Sequence, residues 1–191
     1  MTRRYHRRVR IYTRAGDDGT TGLYFGGRVR KDDAQVELNG DVDEAQAAIG
    51  LARSGLARGS QLDDLLISVE RDLWVLMSEV ATSSANRRKL VAGKTLVTLQ
   101  MVARLEEEID RLSDRTELPK EFVVPGDHPV AAALDLARTV VRRAERRAVT
   151  HHEEGSFVPT YLNRLSDLLW AAARFTEGEE HRTAKGLEEE W

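Results

Sequence analysis

Apolar residues recur along this chain at intervals of three and four, and the recurrence falls into five blocks. Val42, Ala45, Ile49 and Ala52 predict a helix over Asp41–Leu56, with Asp41 as its N-cap. Leu62, Leu65, Leu66, Val69, Leu73, Leu76 and Val80 predict a second over Leu62–Thr82, which the polar patch Ser83–Lys89 breaks. Leu99, Val102, Leu105, Ile109 and Leu112 mark a third over Leu96–Leu112, ended by the proline-rich "PKEFVVPGDHP". A fourth is predicted over Val130–Thr150, with the stripe Leu134, Ala137, Val141, Ala144 and Ala148. The last runs over Thr160–Phe175 on Tyr161, Leu165, Leu168, Ala172 and Phe175. Near-heptad stripes joined by short connections predict an all-α, antiparallel five-helix bundle. Residues 13–39 carry no such period. They are Gly-rich and charged, and read as a long loop with at most one short extended piece.

Composition narrows the class without naming a chemistry. The 191 residues are 41% hydrophobic and 32% charged, which predicts one domain, 1–191, with a substantial core. The absence of cysteine rules out disulfides and thiolate metal sites and fits a cytoplasmic location. A net charge of −3 makes no global case for nucleic acid, and no apolar run reaches bilayer length. Residues 1–10 form a basic arm with five arginines, expected to be a solvated terminus. Residues 177–191 are expected to be a mobile acidic tail ending in Trp191.

Two segments carry candidate chemistry. On the fourth helix, Arg138, Arg142 and Glu145 share a strip beside the buried stripe, with Arg146 flanking it. Arg143 and Arg147 are expected to point to solvent. Like charges four residues apart destabilise a helix, so the strip needs anions. Polyphosphate would suit the planar guanidinium, and acids from other helices would serve equally. In "TRAGDDGTTG", Gly16, Gly19 and Gly22 permit positive φ, so successive N–H groups could converge on an anion. Thr13, Thr20 and Thr21 add hydroxyls, and Arg14 and Lys31 add charge. Asp17 and Asp18 oppose naked phosphate but not phosphate carrying Mg²⁺. On pattern alone the stretch is a surface turn or a grip. "AGKT" is no P-loop, because Arg88 stands where the leading glycine belongs and no strand precedes it. "HHEE" at His151–Glu154 reads as a helix end rather than a metal site.

Three segments in order change the weighing: "YTRAGDDGTTGLYFGGRVRKDD…NGDVDEAQAAIGLA", "FVVPGDHPVAAALDLARTVVRRAERR" and "YLNRLSDLLWAAARF". Together they resemble the ATP:cob(I)alamin adenosyltransferases of the trimeric helical-bundle class, the propanediol-utilisation type. The resemblance implies a ferritin-like bundle assembling as a homotrimer, with active sites between subunits. It implies transfer of the 5′-deoxyadenosyl group of ATP to the cobalt of a reduced corrinoid, cobalamin, with release of triphosphate. Mg²⁺ would arrive on the ATP phosphates, and a flavin-dependent reductase would supply the reduced corrinoid.

By the same resemblance, Thr13, Arg14, Gly16, Asp17, Gly19, Thr21, Gly22 and Lys31 would wrap ATP. Arg142, Arg143, Glu145, Arg146 and Asn163 would meet it from the last two helices. Asp43 would pair across the interface with Arg138, and Phe122 would block the lower face of the corrin. Arg138, Arg142 and Asp43 are the expected catalytic set. A non-catalytic ATP or adenosylcobalamin carrier of the same fold is the alternative. The chain departs from the family pattern at Asp18 (usually lysine), Arg14 (where lysine is common), Gln46 (usually asparagine), and Asp127 and His128 (where a second glycine is typical).

Overall fold

The computed structural model describes residues 11–178 and 181–184, so the basic arm and Trp191 lie outside the described residues. Five α-helices carry the chain: α1 Ala34–Ser54, α2 Gln61–Val80, α3 Leu99–Ser113, α4 Pro129–His151 and α5 Val158–Glu177. A 3-10 helix, Ser84–Lys89, occupies the polar patch after α2. Local chemistry sets the starts. Ser60 and Thr98 accept hydrogen bonds from the amides of Asp63 and Met101, capping α2 and α3. At α4, Pro129 fixes the first turn while His128 Nδ1 accepts from the Val130 and Ala131 amides at 3.2 and 3.4 Å.

The first helix corrects the expectation. Its cap is Asp33, which accepts from the Gln35 amide at 2.9 Å, so α1 begins seven residues ahead of the predicted start. Of the apolar residues in the extra turns, Ala34 and Val36 are half-buried and Leu38 is buried, extending the stripe of Val42, Ala45 and Ile49 backwards. Asp41, expected as the cap, is instead a buried mid-helix carboxylate.

Two extended pieces stand where at most one was expected. Strands β1 Thr20–Gly22 and β2 Arg28–Arg30 pair antiparallel, with Thr21 opposite Val29. Positive φ at Phe25, Gly26 and Gly27 reverses the chain between them. The Tyr24 amide then donates to the Ala81 carbonyl at 2.9 Å, tying the hairpin to the end of α2.

Helix α4 is central: it packs along α1 on one side and α5 on the other, while α2 covers α1 and α3 covers α5. Its buried stripe of Ala131, Leu134, Ala137, Val141, Ala144 and Ala148 is fully enclosed. Alanine at four of these six positions lets both neighbouring backbones approach closely. Tyr161 of α5 is equally buried, and its hydroxyl donates to Asp72 Oδ2 at 3.1 Å, where Arg104 also donates. Burial pushes the Tyr161 hydroxyl well above its ordinary pKa and raises that of Asp72. No helix among the described residues is long and apolar enough to cross a membrane.

The expected tail is also corrected. Glu177 is still in α5 and buried, and residues 181–184 return to pair with the loop before α4.

Candidate active site

The arginine-rich face of α4 divides into two sets by what each side chain touches. Arg142 Nη1 donates to Glu145 Oε2 at 2.6 Å, and Asn163 of α5 donates to Glu145 Oε1 at 3.0 Å. Arg146 donates to the Arg142 carbonyl at 3.0 Å, and among the described residues no acid pairs with it. Glu145 therefore orients Arg142 from one side and Asn163 from the other, which joins three of the five residues expected to meet ATP from the last two helices, with Arg146 one turn along the same helix.

Arg143 and Arg147 do not point to solvent as expected. Arg143 donates to Asp41 Oδ1 at 3.1 Å and to Glu44, while Arg147 donates to Glu37 at 2.6 Å. Arg147 Nε also lies 3.1 Å from Asp41 Oδ2 as an ion pair. The wheel failed because α4 has two packed neighbours, so the side opposite α5 faces α1 rather than water.

A second cluster lies nearer the start of α4. Arg138 Nε donates to Asp135 Oδ1 at 3.2 Å, and Arg174 of α5 donates to Asp135 Oδ2 at 2.7 Å. Glu177 Oε2 sits 2.8 Å from Arg174 Nε, so a buried ion row runs back from Arg138. Arg138, Asp135 and Arg174 line a cavity of about 560 Å³, together with Trp170, Phe122 and Ala184. Phe122 stands 88% exposed at this cavity with no packing of its own. Sequence reasoning found Arg138 and Phe122 but missed Asp135 and Arg174. The i,i+3 spacing of Asp135 and Arg138 was the available signal. Asp43 is exposed and makes no hydrogen bond or ion pair with the described residues.

The Gly-rich loop is ordered by its own side chains. Asp18 Oδ1 accepts from the Thr20 amide at 3.0 Å and hydroxyl at 2.7 Å, which holds its carboxyl below the ordinary value. Arg28 bridges Thr20 Oγ1 and the Ala15 carbonyl, closing the turn from β2. Asp18 is thus a turn residue. Of the three glycines, only Gly19 has positive φ, at 79°, and Arg14 takes φ 64° instead of Gly16 or Gly22. Gly16 is required for a different reason. A Cβ there would meet the Thr20 carbonyl oxygen at 2.9 Å and Lys31 Nζ at 3.3 Å. The Lys31 ammonium consequently lies against the loop. Thr13 Oγ1 accepts from the Ala15 amide at 3.4 Å; Asp17 is exposed, Thr21 pairs with Val29, and Gly22 closes β1.

No hydrogen bond or ion pair among the described residues joins the loop to the arginine cluster. A hollow of about 290 Å³ between the hairpin and the ends of α2 and α4 contains none of the candidate residues. At the end of α4, His152 Nδ1 lies 3.0 Å from the Ala148 carbonyl, a helix end as read from "HHEE". Among the described residues no three His, Asp or Glu side chains are grouped to hold a metal.

Comparison with known proteins bears on this arrangement. The family model described as cobalamin adenosyltransferase matches residues 11–176. A corrinoid adenosyltransferase of Mycobacterium tuberculosis is 43% identical over 171 residues, covering 87% of this chain and 88% of the relative. One from Citrobacter freundii is 38% identical over 174 residues, covering 88% and 95%. The fold superposes with a TM-score of 0.79, at 32% identity, on a variant PduO-type ATP:corrinoid adenosyltransferase from Lactobacillus reuteri complexed with cobalamin and ATP. That match covers 91% of this chain and 97% of the other.

Proposed function

The chain belongs to the cobalamin adenosyltransferase family, and on that premise we propose that it transfers the 5′-deoxyadenosyl group of ATP to the cobalt of cob(I)alamin. The electron pair on Co(I) forms the cobalt–carbon bond as the C5′–O bond breaks, and triphosphate leaves with the pair from that bond. So strong a nucleophile requires no general base. The protein's task is to align C5′ with cobalt and to stabilise charge on the departing triphosphate.

The observation that carries this reading is the joined set Arg142, Glu145, Asn163 and Arg146 on α4 and α5. Glu145 fixes the Arg142 fork, and Arg146 adds a cation with no acidic partner among the described residues. We assign triphosphate to these two arginines, and the adenosine end of the site to Glu145 and Asn163. The loop of Thr13, Arg14, Gly16, Asp17, Gly19, Thr21 and Gly22, with Lys31, closes over the nucleotide. No hydrogen bond or ion pair joins loop and cluster within one chain, and in this reading the loop of one subunit covers the cluster of the next, in a homotrimer. Mg²⁺ travels on the phosphates. Arg143 belongs to the scaffold: both its acceptors are on α1, and it holds α4 in place beneath the nucleotide.

The cavity at Phe122 and Arg138 takes the corrinoid, with Phe122 against its lower face. Excluding the lower axial ligand there gives four-coordinate cob(II)alamin, which is more easily reduced to Co(I). Asp43 of a neighbouring subunit reaches Arg138. The test is anaerobic: ATP with chemically reduced cob(I)alamin should yield a light-sensitive Co–C product and one triphosphate per product. No product at any substrate concentration overturns the proposal. Tight corrinoid binding without turnover would select a carrier instead.

A further inference from the structure

Phe122 presents a problem of support. It is 88% exposed and lies in a segment, residues 114–128, without helix, so nothing in its own loop fixes the ring over the cavity. Its backbone is held from elsewhere. The Phe122 carbonyl accepts from the Ala184 amide at 2.9 Å, and the Val124 amide donates to the Arg182 carbonyl at 2.8 Å. These bonds make an antiparallel bridge, Val123 with Thr183, joining chain segments sixty residues apart.

A bridge this short is marginal by itself. Asp127 fastens it. One carboxylate accepts from the Arg182 backbone amide at 3.0 Å, from Nε at 2.9 Å and from Nη2 at 2.6 Å. Main chain and guanidinium of a single residue are thereby bound by one acid, five positions after Phe122. The same contact holds the Asp127 carboxyl below its ordinary value. Ala184, at the far end of the bridge, lines the cavity beside Phe122.

We propose that Asp127 and Arg182 are positioning residues, an ionic clamp that pins residues 181–184 to the Phe122 loop and so sets the aromatic ring over the cavity. The clamp rests on the reading of this cavity as the corrinoid site. Neither residue touches the reacting atoms. Their effect is on the geometry of Phe122.

The experiment compares full-length protein with Arg182→Ala, Asp127→Ala and Arg182→Lys. Hydrogen exchange reports the bridge at the Val124 and Ala184 amides. Absorbance and electron paramagnetic resonance of cob(II)alamin bound with ATP report the four-coordinate fraction. Both Ala variants should speed exchange at these amides about tenfold, lower the four-coordinate fraction, and raise KM for corrinoid while leaving ATP affinity unchanged. Arg182→Lys, keeping charge without the fork, should recover part of each. Unchanged exchange overturns the clamp. Faster exchange with an unchanged four-coordinate fraction overturns its positioning role. If wild-type protein binds ATP but gives no four-coordinate signal, the corrinoid reading itself falls before any variant is compared.

Discussion

Arg143→Ala separates scaffold from site within one helix. The substitution removes the Nε bond to Asp41 at 3.1 Å and the Nη2 bond to Glu44. Asp41 is only 7% exposed, so it is left with Arg147 alone. A hydrogen bond to a buried charged group is worth about 1.5–3 kcal/mol. The Arg143 side chain keeps 39% of its exposure, and solvent screening trims the figure to about 1.5 kcal/mol. Glu44 is more than half exposed and adds little. For a domain of this size each kcal/mol moves Tm by about 2–4 °C, so the expected drop is about 3–6 °C. Calorimetry at matched protein concentration reads the Tm, and the anaerobic assay below the transition reads kcat and KM. Turnover should fall less than about threefold, because both acceptors of Arg143 lie on α1. Collapse of turnover with an unchanged Tm would refute the reasoning and place Arg143 on the nucleotide.

Three other outcomes follow from the same geometry. Arg142→Ala should lower kcat by about 100-fold or more, with Tm changed by little, because its pair with Glu145 is partly exposed; wild-type turnover would exclude it from the triphosphate. Gly16→Ala should weaken ATP binding about tenfold by calorimetric titration, since the new Cβ forces the Thr20 carbonyl or Lys31 aside; an unchanged Kd would remove the loop from the nucleotide. Asp72 has a folded pKa raised above its ordinary 3.8 by burial, against the opposing pull of Arg104 and Tyr161. Relative to Asp72→Asn, the wild type should therefore be favoured most below that value and lose stability as pH rises through the raised pKa. Urea midpoints of both proteins at pH 4 and 7 check the sign, and a gap that shifts the other way refutes it.

Much of the bundle was legible because burial on a helix repeats with the backbone's own period. The ends of α2, α4 and α5 fall within about two residues of the stripes that announced them. The start of α1 was misread because two aspartates, Asp33 and Asp41, precede apolar residues, and sequence cannot tell a cap from a buried partner of two distant arginines. That same partner is why the helical wheel misdirected Arg143 and Arg147. A wheel measures angle from one stripe and knows nothing of a second neighbour. Of the cluster, Arg142 and Glu145 were visible in outline, since they share a strip of α4, while the bond from Glu145 to Asn163 of α5 was not. The contact of Asp135 with Arg174 went unseen because it spans thirty-nine positions. Asp18 and Asp127 looked like departures from a pattern. Each proves to have a partner of its own, Thr20 two positions on and Arg182 fifty-five positions on.

The ion row behind the cavity has a consequence for where attraction for phosphate resides. Arg138, Asp135, Arg174 and Glu177 carry two positive and two negative charges, linked at 3.2, 2.7 and 2.8 Å. Neutrality holds only with Arg138 counted, so its cationic field is already spent inward and fades within a few ångströms of the wall. Arg142 is likewise matched by Glu145. Arg146 is the member of the strip with no such counterweight among the described residues, and the long-range pull on a polyanion is concentrated on it. The molecule thus carries two kinds of arginine on one helix. One, Arg146, is a monopole whose field reaches outward, and the other, Arg138, is a dipole end felt only on contact.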